Sequence, residues 1–179
     1  MKKIAIFGSA FNPPSLGHKS VIESLSHFDL VLLEPSIAHA WGKNMLDYPT
    51  RCKMVDAFIK DMGGLSNVQR SDAEQALYQP GQSVTTYALL EKIQEIYPTA
   101  DITFVIGPDN FFKFAKFSRA DEIMERWTVM ACPEKVKVRS TDIRNALVTG
   151  EDINAYTTPP SVCELLLNEG LYKETLSGN

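Results

Sequence analysis

The chain has 179 residues, a formal net charge of -4 and 44% hydrophobic residues. This length fits a single domain over residues 1–179, large enough to bury a sizeable core. The apolar runs fall well short of the ~20 residues of a membrane-spanning helix, and no signal peptide is predicted. Because the balance is acidic and the basic residues are not clustered, we expect neither a membrane nor a nucleic acid as partner. A small anion remains a possible ligand.

Three cysteines, Cys52, Cys132 and Cys163, are far apart in the sequence and odd in number. This usage is typical of reduced, buried thiols and not of a disulfide framework or a zinc site. We therefore expect a cytoplasmic protein that provides no metal site of its own.

Short apolar strands alternate with amphipathic helices along the chain. In chain order, we predict a strand at residues 3–7, a helix at 17–28, a strand at 30–33, a helix at 50–62, a strand at 67–70, a helix at 83–97, strands at 102–106 and 127–131, and helices at 140–149 and 161–169. Val21, Leu25 and Phe28 recur at helical spacing in the first helix. Ser83 is the expected N-cap of the third helix.

Strands separated by helices predict right-handed β-α-β units and a doubly wound, mostly parallel α/β sheet of the Rossmann-like kind. Such sheets bind ligands at the carboxyl ends of their strands, near the point where the strand order reverses. Residues 8–18, 35–43 and 107–109 each follow a predicted strand directly. We expect these three segments to converge on one crevice.

The first of these segments carries the clearest chemical signal. Residues 8–18 read Gly-Ser-Ala-Phe-Asn-Pro-Pro-Ser-Leu-Gly-His, a loop that follows a strand and opens a helix. Backbone N–H groups and a helix N-terminus together bind anions, and a histidine there can stabilise charge that grows in a transition state. The alternative is an ordinary turn in which glycine and proline are only punctuation. Our interpretation is nucleotide phosphate chemistry at His18.

A second anion-binding pattern lies at residues 139–144, Arg-Ser-Thr-Asp-Ile-Arg. Hydroxyl and N–H groups at a helix start, with an arginine one turn later, can cradle a phosphate. Taken alone, the pattern also fits an ordinary capped helix with a surface arginine.

Together the two patterns resemble the phosphate-binding elements of the nucleotidyltransferases, commonly written Gly-x-Phe-Asp/Asn-Pro-x-His/Thr-x-Gly-His and Ser-Ser-Thr-x-Ile-Arg. Residues 11–18 match the first element, with Ser15 in place of its first His or Thr. Residues 140–144 match the second, with Arg139 in place of its first Ser. Weaker similarity to nicotinate and nicotinamide mononucleotide adenylyltransferases runs nearly end to end, through residues 33–43, 51–54, 71–74, 83–86, 106–109 and Phe117.

The resemblance implies a nucleotidyltransferase fold and adenylyl transfer from ATP, accompanied by Mg²⁺, to a pyridine mononucleotide, which is a step of NAD biosynthesis. It implies catalytic roles for His18, Ser15 and Arg144. It implies ATP contacts at Gly8, Ser9, Phe11, Gly17, Gly107, Asp109, Ser140 and Thr141. It implies contacts with the mononucleotide at Trp41, Lys43, Arg51, Thr85 and Phe117. It does not indicate an oligomeric state.

Two other functions stay open at this stage. The chain could adenylate another phosphorylated acceptor, such as phosphopantetheine, or it could be a nucleotide-binding regulator without catalysis. Individual residues also have plainer alternatives: Lys43 as a solvated loop lysine, Trp41 as a core or interface residue, and Asp109 as the N-cap of the next helix. Asp72 and Glu74 are left out of the predicted chemistry.

Overall fold

The computed structural model describes residues 1–38, 45–63, 65 and 67–173. Its centre is a five-stranded sheet of β1 (Lys3–Ser9), β2 (Leu30–Pro35), β3 (Val68–Arg70), β4 (Asp101–Ile106) and β5 (Thr128–Ala131). The strand order is β3-β2-β1-β4-β5, and each neighbouring pair is parallel. The predicted doubly wound α/β sheet is therefore confirmed.

Helices connect and cover these strands. In the described residues they are α1 (Leu16–Glu23), α2 (Tyr48–Asp61), α3 (Ala73–Leu77), α4 (Thr86–Ile96), α5 (Pro108–Phe112), α6 (Ala120–Arg126), α7 (Ser140–Thr149) and α8 (Ser161–Asn168), with a 3-10 turn at Phe114–Lys116. Across these ranges, no helix combines the length and apolarity needed to traverse a membrane.

The core lies in two layers, one on each face of the sheet. Successive side chains of a strand point to opposite faces of the sheet. In β1, Ile4 and Ile6 therefore belong to one buried cluster, whereas Ala5 and Phe7 belong to the other. The first cluster packs under α4 and α6, and the second under α1, α2, α7 and α8. Burial on both faces explains why the central strands are almost wholly apolar.

The strand order reverses between β1 and β4. From β1 the chain moves outward through β2 and β3, and then crosses back to add β4 and β5 on the other side. The carboxyl ends of β1 and β4 therefore flank the crevice where open α/β sheets bind their ligands. Gly8 and Ser9 close β1, and Gly107 follows β4 at this place.

The structure corrects several predicted boundaries. Helix α1 ends at Glu23, because the chain continues in short turns in which Leu25 N–H donates to Ile22 O at 2.9 Å and Phe28 N–H donates to Leu25 O at 3.1 Å. Both side chains are still buried, so their spacing is correct although the helix is shorter. Helix α4 begins at Thr86, and its N-cap is Thr85, not Ser83. Helices α3, α5 and α6 are absent from the predicted set.

Candidate active site

The start of helix α1 is built around a reciprocal pair of side chains. Ser15 is the N-cap, and its Oγ accepts the backbone N–H of His18 at 3.2 Å. In return, the backbone N–H of Ser15 donates to Nδ1 of His18 at 2.9 Å. This is a capping box in which histidine takes the place usually held by Glu or Gln. The cap fixes both the backbone and the imidazole orientation.

The hydrogen bonds also fix the tautomer of His18. Because Nδ1 accepts the N–H of Ser15, the proton of a neutral ring lies on Nε2. Nε2 is 3.0 Å from Oγ of Ser9, at the end of β1. The ring centroid lies 4.7 Å from that of Phe11, which is buried, and burial lowers the pKa of His18 to about 4. At neutral pH, His18 is therefore a neutral donor and not a cation.

Gly17 lies where helix α1 meets the segment that follows β5. A Cβ at this position would lie 2.2 Å from the carbonyl oxygen of Val138 and 2.9 Å from Oε2 of Glu134. Ser15 Oγ also donates to the Val138 carbonyl, at 3.2 Å. The glycine of the motif is thus required by close backbone approach, which differs from the direct ATP contact implied by the resemblance.

Ser20 holds the same segment in place. No role was predicted for it from the sequence. Its Oγ accepts the backbone N–H groups of Lys135 at 3.0 Å and Val136 at 3.2 Å, and donates to the Gly17 carbonyl at 2.7 Å. A serine inside a helix, three residues after a glycine, carries no signal of partners more than a hundred positions away.

Three successive carbonyls of the loop are held by donors from distant parts of the chain. Arg144 Nη1 donates to Asn12 O at 2.8 Å, Ser140 Oγ to Pro13 O at 2.6 Å, and Thr157 Oγ1 to Pro14 O at 2.6 Å. Arg144 Nη2 also donates to Thr141 Oγ1 at 3.1 Å. The structure therefore brings the two predicted phosphate-binding elements into direct contact. A guanidinium has five N–H groups, enough to hold the loop and a phosphate oxygen together.

Backbone carbonyls surround the guanidinium of Arg51. Its side chain is buried, with Nε donating to Leu46 O at 2.7 Å and Nη1 donating to Ala10 O at 3.0 Å and Ser36 O at 2.6 Å. The guanidinium thus joins the loop after β1 to the segments on either side of residues 39–44. Its donors face backbone carbonyls, so the geometry favours a supporting role over the predicted contact with the mononucleotide.

A cavity of about 350 Å³ opens at the carboxyl ends of β1 and β4. Of the predicted site residues, Gly8, Ser9, Thr85 and Phe117 line it together. Trp41 and Lys43, predicted to contact the mononucleotide, lie outside the described residues. Thr85 is the N-cap of α4, so the first turn of that helix faces the cavity.

A second cavity, of about 490 Å³, lies between the end of β4 and the segment that follows β5. Gly107 and Asp109 line it, together with Lys137 and Arg139. Gly107 is the N-cap of α5 and Asp109 lies in its first turn, so Asp109 does not take the capping role considered for it. Its carboxylate is exposed and 3.9 Å from the Arg139 guanidinium.

Two buried carboxyl groups lie next to each other, and one of them is in the wall of the first cavity. Glu34, at the end of β2, accepts the Ser71 hydroxyl at 3.2 Å and the Glu74 N–H at 3.1 Å, and Glu74 lines the cavity. Burial raises the pKa of Glu34 to about 8 and that of Glu74 to about 7. The nearby Glu74 carboxyl further raises the pKa of Glu34, whereas Arg51 opposes the shift at Glu74. The sequence analysis left Glu74 out, but the structure places it in the cavity wall.

The side chains around the loop are suited to an anion. Ser9, His18 and Arg144 offer hydroxyl, imidazole and guanidinium donors, whereas the Ser140 hydroxyl already donates to Pro13 O. Over the described residues, no cluster of three or more His, Cys, Asp or Glu side chains could hold a metal ion.

This combination defines a class of protein: an α/β nucleotide-binding enzyme that handles phosphates at the switch point of a parallel sheet. Residues 6–149 match the model of the cytidylyltransferase-like family, and the chain belongs to that family.

Individual relatives agree with this class. A protein from Chlorobium phaeobacteroides (strain BS1), provisionally named nicotinate-nucleotide adenylyltransferase, is 25% identical over 96% of this chain and 100% of its own length. One from Prosthecochloris aestuarii (strain DSM 271 / SK 413), with the same provisional name, is 26% identical over 96% of this chain and 98% of its own.

Solved structures agree as well. A crystal structure from Vibrio parahaemolyticus, provisionally described as a nicotinate-nucleotide adenylyltransferase, is 82% identical, covers both chains fully and has a TM-score of 0.86. The Plasmodium falciparum nicotinic acid mononucleotide adenylyltransferase complexed with NaAD has the same fold, with a TM-score of 0.74 at 17% identity over 96% of this chain and 98% of that chain. The resemblance to the pyridine mononucleotide adenylyltransferases is confirmed.

Proposed function

We propose that this chain is an adenylyltransferase that joins the adenylyl group of ATP to nicotinate mononucleotide and releases pyrophosphate, a step of NAD biosynthesis. The observation that carries the proposal is the neutral His18, whose Nε2 proton is directed to Ser9 beside the 350 Å³ cavity. The names of the relatives, including one 82% identical over its full length, support this reaction and favour nicotinate over nicotinamide mononucleotide.

The reaction needs no nucleophile from the protein. A phosphate oxygen of the mononucleotide forms a bond with the α-phosphorus of ATP, and the bond from that phosphorus to the oxygen bridging the β-phosphate breaks. The attacking phosphate is already anionic, so catalysis consists of placement and stabilisation of charge. Both are tasks that hydrogen-bond donors on a rigid loop can perform.

We assign the two cavities to the two substrates. Gly107 and Asp109 in the second cavity would contact the adenosine of ATP. Ser9, His18, Thr141 and Arg144 would hold its phosphates, and Ser140, whose hydroxyl already donates to Pro13 O, would offer its backbone N–H at the start of α7. Gly8, Gly17 and Phe11 would shape the loop, and Ser15 would orient the imidazole. Thr85 and Phe117 in the first cavity would contact the mononucleotide. Contacts with the mononucleotide are also proposed for Trp41 and Lys43, which lie outside the described residues.

His18 would donate a hydrogen bond from its Nε2 N–H to a phosphate oxygen and so stabilise the charge that grows as pyrophosphate departs. Arg144 would supply the fixed positive charge that a neutral imidazole lacks. Mg²⁺ accompanying ATP would supply further charge neutralisation, because Mg²⁺ is commonly held by substrate phosphates with few protein ligands.

We further propose that residues 1–179 act as one domain and that the protein works in the cytoplasm. The three free, buried cysteines suit that reducing compartment.

The test is pyrophosphate release from ATP and Mg²⁺, with nicotinate mononucleotide, nicotinamide mononucleotide and phosphopantetheine compared as acceptors. We expect release with nicotinate mononucleotide at the highest kcat/KM. Release only with phosphopantetheine would identify a different acceptor. ATP binding without release for any acceptor would identify a nucleotide-binding regulator.

A further inference from the structure

Tyr172 enters the active-site region from the far end of the chain. Helix α8 ends at Asn168, and Gly170, with a φ of 62°, follows its C-cap. Tyr172 then lies in the core with 4% of its surface exposed. Its own φ is 60°, a left-handed conformation that is uncommon for a residue with a side chain. Such a conformation persists where surrounding contacts fix it, and it often occurs at functional sites.

The hydroxyl of Tyr172 contacts the phosphate-binding loop directly. It donates to Oδ1 of Asn12, and the same oxygen accepts the backbone N–H of Leu46 at 3.3 Å. Asn12 is itself 2% exposed, so both ends of this hydrogen bond are out of water. Because Oδ1 accepts two donors, the orientation of the Asn12 amide is fixed.

Asn12 connects this contact to Arg144. Its carbonyl oxygen accepts Nη1 of Arg144 at 2.8 Å, and it begins the run of three held carbonyls at residues 12–14. The positive charges of Arg144 and Arg51 lie close enough to Tyr172 to lower its pKa, but burial dominates and raises it. The hydroxyl therefore stays protonated and acts as a donor.

We infer that Tyr172 is a positioning residue for adenylyl transfer. Its hydroxyl fixes Asn12, and through Asn12 it holds both the loop that carries His18 and the guanidinium of Arg144 in the geometry that receives the phosphates of ATP. This role rests on the proposed function. The turn that follows α8 and carries Tyr172 is thus part of the support of the active site, although it lies more than a hundred residues beyond the loop.

The experiment compares Tyr172→Phe, which removes only the hydroxyl, with Tyr97→Phe as control. Tyr97 is the C-cap of α4 and packs against the core cluster on the opposite face of the sheet. Amide hydrogen exchange is measured at residues 11–18 without substrates, and kcat and KM for ATP are measured in the adenylyl transfer assay. A melting curve checks folding. If Tyr172→Phe does not fold, Tyr172→Met, which fills the site with a flexible apolar side chain, replaces it.

We expect faster exchange at residues 11–18 in Tyr172→Phe and a loss in kcat/KM for ATP of about tenfold, since small misplacements of reacting groups have large kinetic effects. Exchange in the strands β1 and β4 and all properties of Tyr97→Phe should match the wild type. Wild-type exchange in the loop, or a lower melting temperature with unchanged kinetics, would overturn the inference. If the wild-type chain releases no pyrophosphate with any acceptor, the proposed function fails, and the exchange comparison alone decides the role of Tyr172.

Discussion

The α-carbon of Gly17 faces the carbonyl oxygen of Val138 so closely that an added Cβ would lie 2.2 Å from that oxygen. The contact joins the start of α1 to the segment between β5 and α7, and it is backbone against backbone. Neither side can relieve a clash by rotating a side chain. The glycine is therefore needed for the relative position of the two phosphate-binding elements.

Replacing this glycine should separate them. We expect Gly17→Ala to lower the free energy of unfolding by about 1–3 kcal/mol, the usual effect of overpacking a close contact. Gly107→Ala is the control for stability, because its Cβ would meet nothing within 4 Å. Urea unfolding of both variants measures the difference. Equal free energies of unfolding for the two variants would show that the segment after β5 can move away from the added Cβ, and would contradict the requirement for glycine at position 17.

The two roles of His18 can be separated by substitution. We expect His18→Ala to lower kcat by about 10²-fold or more, the scale of losing one donor in the transition state. His18→Gln should restore the cap, because its side-chain oxygen can accept the Ser15 N–H as in an ordinary capping box.

Steady-state kinetics and melting curves of both variants distinguish the roles. The expected result is that both lose activity and that only the alanine variant loses stability. Near-wild-type turnover in His18→Ala would exclude the proposed mechanism.

Glu34 should make the protein less stable as the pH rises from about 4.5 to about 8. Its pKa rises from 4.5 to about 8 on folding, so between these values the folded state keeps a proton that the unfolded chain has released. The contribution of Glu34 to the free energy of unfolding is thus fully present below about pH 4.5 and is lost as the pH rises toward about 8.

Glu34→Gln imitates the protonated carboxyl and should remove this part of the pH dependence. The free energy of unfolding, measured in urea between about pH 5 and about pH 8, should fall less in the variant than in the wild type. Asp121→Asn, at an exposed position on α6, is the control. Parallel curves for wild type and Glu34→Gln would contradict the raised pKa.

Replacing Arg51 with lysine should markedly lower the stability of the fold. An ammonium group cannot reproduce the planar arrangement of Nε and Nη1 donors that reaches Leu46, Ala10 and Ser36 together. We expect Arg51→Lys to cost about 3 kcal/mol, because buried carbonyls lose charged donors. Arg119→Lys, whose partner Glu122 is on the surface, should cost well under half of that. Denaturant unfolding compares them, and similar losses would refute the structural role of Arg51.

The strands of the sheet could be predicted from the sequence because a buried strand is marked by a local run of apolar residues. Each of the five strands is within two residues of its predicted limits, since the apolar runs of buried parallel strands stand out from their surroundings. Helices α3, α5 and α6 have five to seven residues, too few to show a helical period. Thr85 and Ser83 are both residue types that cap helices well, and in the structure it is Thr85 whose side chain accepts the Ala88 N–H.

Residue roles at the site were less predictable, for a physical reason. A motif tells which atoms can contact a phosphate, but not which of them are occupied by the protein. Arg144 and Ser140 bind the carbonyls of residues 12 and 13, and Arg51 is buried among carbonyls. Apart from the Leu46 carbonyl bound by Arg51, these partners are separated by 15 to 132 positions, so neither composition nor periodicity contains them.

The capping box of Ser15 and His18 places an evolutionary constraint on the loop. The imidazole of His18 caps the start of α1 and also provides the proposed catalytic donor. Selection for folding and selection for turnover therefore act on the same residue. A related protein that has lost catalysis should still accept few substitutions at this position, because the Ser15 N–H at the helix start needs a hydrogen-bond acceptor. Glutamine or glutamate at this position in a paralogue would therefore indicate a protein that kept its nucleotide-binding scaffold and gave up its chemistry.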